Sequence, residues 1–497
     1  MVKLNGLNLT LRKIEQIIVD KEKITLAPEV KKRIERSANF VERIVQAQKK
    51  VYGINTGFGA LSTVRIPERE LSSLQRNLLL SHNTGVGPAV PLPIAKTAMV
   101  LRLNTLIRGY TGVRFRTVKA LVELINNDVI PLIPSKGSVG ASGDLAPLAA
   151  MSLPLIGEGE VVYKNRRMPA LKALNSLHLK PLKLGPKEGL ALINGTQMMT
   201  AYGVTILREA LTMIDLFDLA GAMSLETLKG TDRAFDQRML RLRPYPGVKK
   251  TAANLIYFLR GSKILQSHRH CNKVQDAYSL RCMPQVHGAV RDLFAFVRTQ
   301  FEIEINSVTD NPILLPEDNE IIQGGNFHGE PVAFGLDLLA IGLTELSSIS
   351  ERRIFRMLDP TLSGLAPFLI EKAGLNSGLM MLQTTAAGLV AQNKILSHPA
   401  SIDSIPTSAN QEDHVSMGMN AALKAYEVLE NTKNVLAMEF ICAAQGIDIL
   451  RPLKSSPILQ SVKEEIRKYV PYLREDRDLS KDIKRMVKLI DSGQLLQ

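Results

Sequence analysis

Three long apolar stripes at helical spacing restrict this chain more than any other feature. Val204, Leu207, Leu211 and Ile214 recur at 3-4-3 intervals. That spacing lines them along one face of a helix predicted from about Thr200 into the 220s. Leu336, Leu339, Leu343 and Leu346 repeat the pattern toward Ile354 and Met357. Leu423, Tyr426 and Leu429 mark a third helix, from about Met417 to Gln445. Helices this long, joined by Pro- and Gly-containing links, predict a mainly α, long-helix bundle rather than alternating βαβ units. Small residues such as Ser347, Ser348 and Ala421 allow close approach between helices. The first 200 residues differ in texture, with short helical pieces broken at 52–59, 85–93 and 131–159. A site built from loops on a scaffold belongs there. The expected division is 1–199, a loop-rich N-terminal domain; 200–450, the central bundle; and 451–497, peripheral helices.

Composition narrows the function. The net charge of +14 raises nucleic-acid binding, but bases and acids are interleaved, as in Lys463-Glu464-Glu465-Ile466-Arg467-Lys468. Aromatic residues make up 5% with no Trp, so no stacking platform is present. A basic surface suits an anionic or zwitterionic substrate instead. Cys271, Cys282 and Cys442 lack metal-ligand spacing and fit a reducing cytoplasm. The His268-x-His270-Cys271 cluster lacks a further ligand at recognisable spacing, so no metal is expected. The N-terminus opens onto no apolar run, so no secretory signal is expected. Leu190 to Leu207 and Ala373 to Asn393 are uncharged but rich in amides and hydroxyls. In lipid those groups would need internal partners, so buried helices beside a polar site are expected, and no membrane span.

Gly137-Ser138-Val139-Gly140-Ala141-Ser142-Gly143-Asp144 sets an uncharged tripeptide in a glycine-rich bend. Such bends are commonly turns or anion nests. The nucleophile-elbow pattern and the Walker lysine are both absent. Backbone cyclisation is a third use. Gly143 has no Cβ to prevent its nitrogen from reaching the Ala141 carbonyl carbon. Closure with loss of water, then loss of the Ser142 hydroxyl, would leave a methylidene on a five-membered ring, a strong electrophile. An electrophile that takes an amine, a base at the neighbouring carbon and an arginine for a carboxylate together suit ammonia elimination.

Candidates for those parts exist. Tyr52 sits in Tyr52-Gly53-Ile54-Asn55-Thr56-Gly57-Phe58-Gly59 on sharply turned backbone, and depressing its pKa would need nearby positive potential. Asn194 opens Asn194-Gly195-Thr196, either a structural bridge or a donor to a site. Gln275, Tyr278 and Arg281 fall at i, i+3 and i+6 and would share a face. His82 follows Ser81, and Glu412 lies in Gln411-Glu412-Asp413-His414. An imidazole both donates and accepts hydrogen bonds, so a carboxylate with a second imidazole suits that ring. A phenyl ring would leave both unpaired.

Taken in order, these segments resemble the aromatic amino acid ammonia-lyases, from Asn5 to about Leu450. The resemblance implies that Ala141-Ser142-Gly143 forms 4-methylidene-imidazol-5-one, with no dissociable cofactor. It implies Tyr52 as the base, Asn194 near the ring and the amine, Tyr278 and Gln275 lining the site and Arg281 on the substrate carboxylate. Gly324-Gly325-Asn326-Phe327-His328-Gly329 resembles a site-lining loop with Phe327 toward the substrate, and Glu304 to Pro312 the family's framework segment. Met283 stands where the family more commonly has Gln, an expected tolerated change. The Ser81-His82 pair and the Glu412 run look like those of members acting on histidine, which implies conversion of L-histidine to trans-urocanate and ammonia. The implied fold is the helical bundle of the fumarase/aspartase-like superfamily, as a homotetramer with shared active sites. A tyrosine or phenylalanine lyase, or an aminomutase on the same ring, would differ at Ser81-His82 and Glu412. An argininosuccinate or fumarate lyase would carry a Gly-Ser-Ser mobile loop, which is missing.

Overall fold

The computed structural model describes residues 1–271 and 273–496. Its long helices are Gln197–Thr227, Met283–Glu304, Glu330–Leu358 and Gly418–Ile449. The mainly helical architecture expected from the apolar stripes is therefore present. Leu336, Leu339, Leu343, Leu346, Ile354 and Met357 are all fully buried. Leu423 and Tyr426 are only half-buried, however. Leu429 is buried as expected, and it shares the inward face of Gly418–Ile449 with Ala421, Ala422, Ala425 and Val428. The helix Met283–Glu304 was not read from the sequence. Its signal was present, since Val290, Phe294, Val297 and Phe301 stand at 4-3-4 spacing and are buried.

The chain divides into two compact units that interleave in sequence. One comprises 1–205, 298–337 and 399–423; the other comprises 206–297, 338–398 and 424–497. Four of the five boundaries fall inside long helices, and the fifth lies after Met380–Leu396. The first unit contains small sheets, among them a parallel pair of Val2–Leu4 with Ile24–Leu26 and an antiparallel hairpin of Ile313–Leu315 with Glu320–Ile322. The second unit adds Pro246–Leu259, Met380–Leu396, Pro457–Tyr469 and Leu479–Asp491 to its share of the long helices.

The two uncharged stretches are not continuous helices. Leu190–Leu207 contains the end of Glu188–Ile193, a break at 194–196 and the start of Gln197–Thr227. Ala373–Asn393 is irregular until Met380. Among the described residues one helix, Glu330–Leu358, is long and apolar enough to cross a membrane, and 72% of its apolar window is buried within the protein.

The break at 194–196 is held by buried charge. Arg102, fully buried, donates to the Asn194 carbonyl at 2.9 Å, to Gln197 Oε1 at 2.7 Å and to the Ala191 carbonyl. Burial lowers its pKa to about 10. Lys187 and Asp310, both fully buried, pair at 2.6 Å. The remaining Asp310 oxygen accepts from the Asn194 amide at 3.1 Å, so this pair fixes the side chain of Asn194. Desolvation already lowers the Lys187 pKa. Removing one partner of a buried pair strands the other, at a cost of about 3–5 kcal/mol. Asp310→Asn is therefore expected to lower the chemical-denaturation stability by about that amount. The double variant Asp310→Asn, Lys187→Met is expected to recover much of it, because no orphan charge remains.

Candidate active site

A cleft in the first unit gathers most of the residues singled out by sequence. Tyr52, His82, Ser142, Asn194, Phe327 and Glu412 all line a cavity of about 820 Å³. A neighbouring cavity of about 580 Å³ shares Tyr52, Ser142, Phe327 and Glu412 and adds Ala141. Gly143 lies directly behind that wall.

Each side chain is placed by local backbone chemistry. Tyr52 sits in a turn closed by the Ile54 N–H on the Val51 carbonyl at 3.2 Å. Asn55 braces the turn, its Oδ1 accepting from the Val51 N–H at 2.9 Å and its amide donating to the Lys49 carbonyl at 2.9 Å. The Tyr52 ring packs edge-on against Phe58, with centroids 6.5 Å apart. Burial raises the Tyr52 pKa above its ordinary value, and the charges of Glu412 and Asp310 add to this. Only the hydrogen bond with the Gly59 backbone works the other way.

His82 ends the helix Leu71–His82. The Ser81 hydroxyl lies 3.2 Å from the Leu78 carbonyl oxygen and 3.1 Å from His82 Nδ1. The other ring nitrogen, Nε2, is left to donate or accept according to the tautomer. Desolvation lowers the His82 pKa, which keeps the ring neutral.

Glu412 is carried by a tight loop. Thr407 and Glu412 exchange backbone hydrogen bonds, and the Thr407 hydroxyl donates to Glu412 Oε2 at 2.7 Å. Between them Ser408, Ala409 and Asn410 all have left-handed φ, from 51° to 64°. Such non-glycine backbone is costly and persists where the surroundings impose it. The other carboxylate oxygen, Oε1, accepts from the Ser142 hydroxyl at 3.3 Å.

The Ala141-Ser142-Gly143 bend is clamped from behind. Gly143 has φ +73°, and a Cβ there would lie 2.2 Å from the Gly195 carbonyl oxygen. The Asp144 N–H donates to that same oxygen at 2.7 Å. Asp144 Oδ2 accepts from the N–H groups of Met198 and Met199, each at 2.9 Å. These are orphan donors at the start of the helix Gln197–Thr227. Burial outweighs those two bonds and pushes the Asp144 carboxyl up to about 7. The Met417 N–H donates to the Val139 carbonyl at 2.9 Å, which ties the Glu412 loop to the bend. Two buried oxygens, Asn194 Oδ1 and Asp144 Oδ1, have no hydrogen-bond partner.

Gln275, Tyr278 and Arg281 are not among the residues lining this cleft. They belong to the second unit, where Tyr278 and Arg281 form the short helix Tyr278–Arg281. The Arg281 guanidinium lies 4.6 Å from the centre of the Tyr278 ring. Gln275 is exposed and Tyr278 is 70% exposed. Met283 is fully buried, its sulfur packed against Gly221; an apolar residue suits that position. Both ring nitrogens of His268 face backbone carbonyl oxygens at 2.8 Å. No group of three or more metal-binding side chains occurs among the described residues.

Several residues that build the cleft were not assigned by sequence. Thr407 acts within its own loop, five residues from Glu412, whereas Lys187 and Arg102 act through hydrogen bonds over separations of 89 residues or more, which no local pattern encodes. The one sequence signal is Lys187 itself, a charge at the edge of an uncharged stretch. His328 and His414, stacked with centroids 6.0 Å apart, line the outer cavity.

The same arrangement of segments occurs in proteins of known kind. The aromatic amino acid lyase model matches residues 9–468. The histidine ammonia-lyase of Stigmatella aurantiaca is 49% identical over 493 residues, covering 99% of this chain and 97% of that protein. The structure of histidine ammonia-lyase from Trypanosoma cruzi matches with a TM-score of 0.92 at 41% identity, over 99% of this chain and 94% of that one. A tyrosine aminomutase from Streptomyces globisporus matches with a TM-score of 0.94 at 35% identity, over 100% and 97% of the two chains. With its clamped Ala-Ser-Gly bend, its tyrosine turn and likeness over nearly its whole length, the chain belongs to the aromatic amino acid lyase family.

Proposed function

We propose that this protein is an ammonia-lyase that converts L-histidine to trans-urocanate and ammonia, the first step of histidine breakdown. The carrying observation is the convergence of His82 and Glu412 on the cleft that Ser142 and Tyr52 share. The imidazole of the substrate donates its N–H to the Glu412 carboxylate, and its bare nitrogen accepts from the His82 ring. A phenyl ring would leave them desolvated and unpaired, a penalty large enough to set specificity. The aminomutase likeness in overall shape carries no argument against this, since the fold does not fix the ring-binding residues.

The bend fits 4-methylidene-imidazol-5-one. Gly143 is pressed into a site that only glycine fills, and Ala141 and Gly143 already pair as a bridge. Once formed, the group supplies an electrophile that makes the amine a competent leaving group. The rest falls to ordinary side chains. Asn194 Oδ1, buried and without a partner, accepts an N–H at the reacting end. The Tyr52 oxygen takes the β-proton: the C–H pair becomes the new double bond as the C–N pair departs with nitrogen. The Tyr52 cleft raises that phenol's pKa, so the phenolate needs cations, which the substrate ammonium and Arg281 bring. Arg281 holds the substrate carboxylate, Gln275 and Tyr278 complete its surroundings, and Phe327 packs on the substrate. The assembly is a cytoplasmic homotetramer whose active sites draw on more than one subunit. The cysteines are free, consistent with a reducing compartment.

The test is near-UV absorbance of the purified protein with L-histidine, L-tyrosine and L-phenylalanine in separate cuvettes. Each product is a conjugated acrylate, and a chain without Trp leaves a low background. A rise with histidine alone is expected; a rise with tyrosine or phenylalanine instead overturns the roles given to His82 and Glu412. Tyr52→Phe is expected to lower kcat by about 10²–10⁴-fold. Intact mass should read two waters below the sequence mass, whereas Ser142→Ala and Gly143→Ala are each expected to fall short of that loss and to be inactive. In the free protein, NMR of ring-labelled histidine should place the His82 titration below 6.5, because burial disfavours its charged form. Its protonation then opposes folding: stability falls as pH drops below 6.5, and His82→Asn removes that part of the slope.

A further inference from the structure

The segment that carries Tyr278 and Arg281 rests on a buried ionic chain with no part in the cleft. Arg353 is fully buried and forks onto Glu439, Nε to Oε1 at 2.5 Å and Nη2 to Oε2 at 2.9 Å. The carboxylate is completed by the hydroxyls of Ser224, at 2.7 Å, and Ser350, at 2.6 Å. Every lone pair of Glu439 that Arg353 leaves open therefore has a donor. The third guanidinium nitrogen, Nη1, turns away from Glu439. It donates to the Ser279 carbonyl at 3.5 Å and lies 3.4 Å from His287 Nε2. His287 Nδ1 is 2.8 Å from Asp218 Oδ1. Asp218 in turn is held by Arg291 and by the Asn254 amide at 2.9 Å. Burial lowers the His287 pKa. The neutral ring therefore donates from Nδ1 to Asp218 and accepts at Nε2 from Arg353.

Charges at this depth are expensive, and a packed apolar core would be at least as stable. What the chain does that an apolar core cannot is aim an N–H at one peptide carbonyl, that of Ser279. This carbonyl lies inside the turn between Tyr278 and Arg281. The turn is fixed on both sides of that point. Asp276 accepts from the Thr231 N–H at 2.6 Å and pairs with Lys273 at 2.8 Å. Met283 packs on Gly221, where a Cβ would lie 2.5 Å from the sulfur and 3.7 Å from Arg353 Cζ. Arg281 Nε is buried without a hydrogen-bond partner, so the guanidinium is not positioned by a bond of its own at that atom. Its direction comes from the backbone beneath it and from the Tyr278 ring.

We infer that Arg353, locked by Glu439 and His287, is a positioning residue that sets the Tyr278–Arg281 turn and thereby the affinity for the substrate carboxylate. This rests on the reading of Arg281 as the carboxylate-holding residue. Arg353→Lys keeps the charge beside Glu439 but loses the planar fork, which one ammonium cannot replace.

The experiment compares two inhibitors in the assembled enzyme. One is trans-urocanate, which carries the carboxylate. The other is L-histidinol, which keeps the imidazole and amine but lacks it. Arg353→Lys is expected to weaken urocanate, and to raise KM for L-histidine, by about tenfold while leaving histidinol unchanged. His287→Leu, which removes the acceptor on Arg353, is expected to show the same selective loss. His287→Gln, whose amide can both donate to Asp218 and accept from Arg353, restores the native ratio. The His287 pair decides the matter alone where Arg353→Lys fails to assemble. Equal weakening of both inhibitors, or of neither, overturns the inference. Arg281→Lys is measured in parallel. If it spares urocanate, the reading of Arg281 falls; if it weakens urocanate selectively while the Arg353 and His287 variants do not, the positioning role falls and Arg281 keeps its own.

Discussion

The Asp144 carboxylate joins two pieces of backbone that the cleft cannot do without. One of its oxygens takes the first free N–H groups of the helix Gln197–Thr227, and its own N–H binds the Gly195 carbonyl. Gly143, one residue before, is thereby pressed against Gly195 with no room for a side chain. A carboxylate at a helix N-terminus is favourable, since free N–H groups and the helix dipole both attract it. Here that ordinary cap also sets the curvature of the Ala141-Ser142-Gly143 bend. The long helix is thus more than scaffold: its first turn is the anvil on which the bend is shaped.

Around this point the first unit buries charge rather than avoiding it. Arg102 bridges the broken helix end, and Lys187 with Asp310 orients the Asn194 amide. Apolar residues of equal volume would stabilise the core as well, but they would not point Asn194 Oδ1 in a fixed direction. The second unit repeats the device with Arg353 and Glu439 beneath the Tyr278–Arg281 turn. In both places a salt bridge saturated with hydrogen bonds gives a polar atom a direction. Such networks tolerate little change, because a half-satisfied one is worse than none.

Much of the fold was legible because helix periodicity is local. Six leucine, isoleucine and methionine positions from Leu336 to Met357 are all inward-facing as their spacing predicts. The reading failed where packing overrode hydrophobicity. At the start of Gly418–Ile449 the buried positions are Ala421, Ala422 and Ala425, while Leu423 and Tyr426 stay half-exposed; Leu429 is buried as its spacing predicts. Close helix contact rewards small residues, as read for Ala421 and Ser347, both fully buried. Within the uncharged run from Leu190 to Leu207, Asn194 and Gly195 separate two helices. The break is set by Arg102, far away in sequence. For the cleft, Tyr52, His82, Ser142, Asn194, Phe327 and Glu412 were all singled out from short segments, while Thr407 and Asp310 acquired meaning only through their partners.

The sequence by itself determined which groups are available: an Ala-Ser-Gly bend, a tyrosine beside glycine, a histidine, a glutamate and an arginine, each in a short recognisable segment. It also determined that the chain would be mainly helical, because a 3.6-residue period needs only neighbours a few positions apart. The tertiary structure alone decided which way those groups face and in what protonation state they are held. Burial raises Tyr52, lowers His82 and lifts Asp144 to about 7. Those shifts come from desolvation and from charges tens to hundreds of residues away. No local pattern carries that information, since an electrostatic environment exists only once distant segments have packed together.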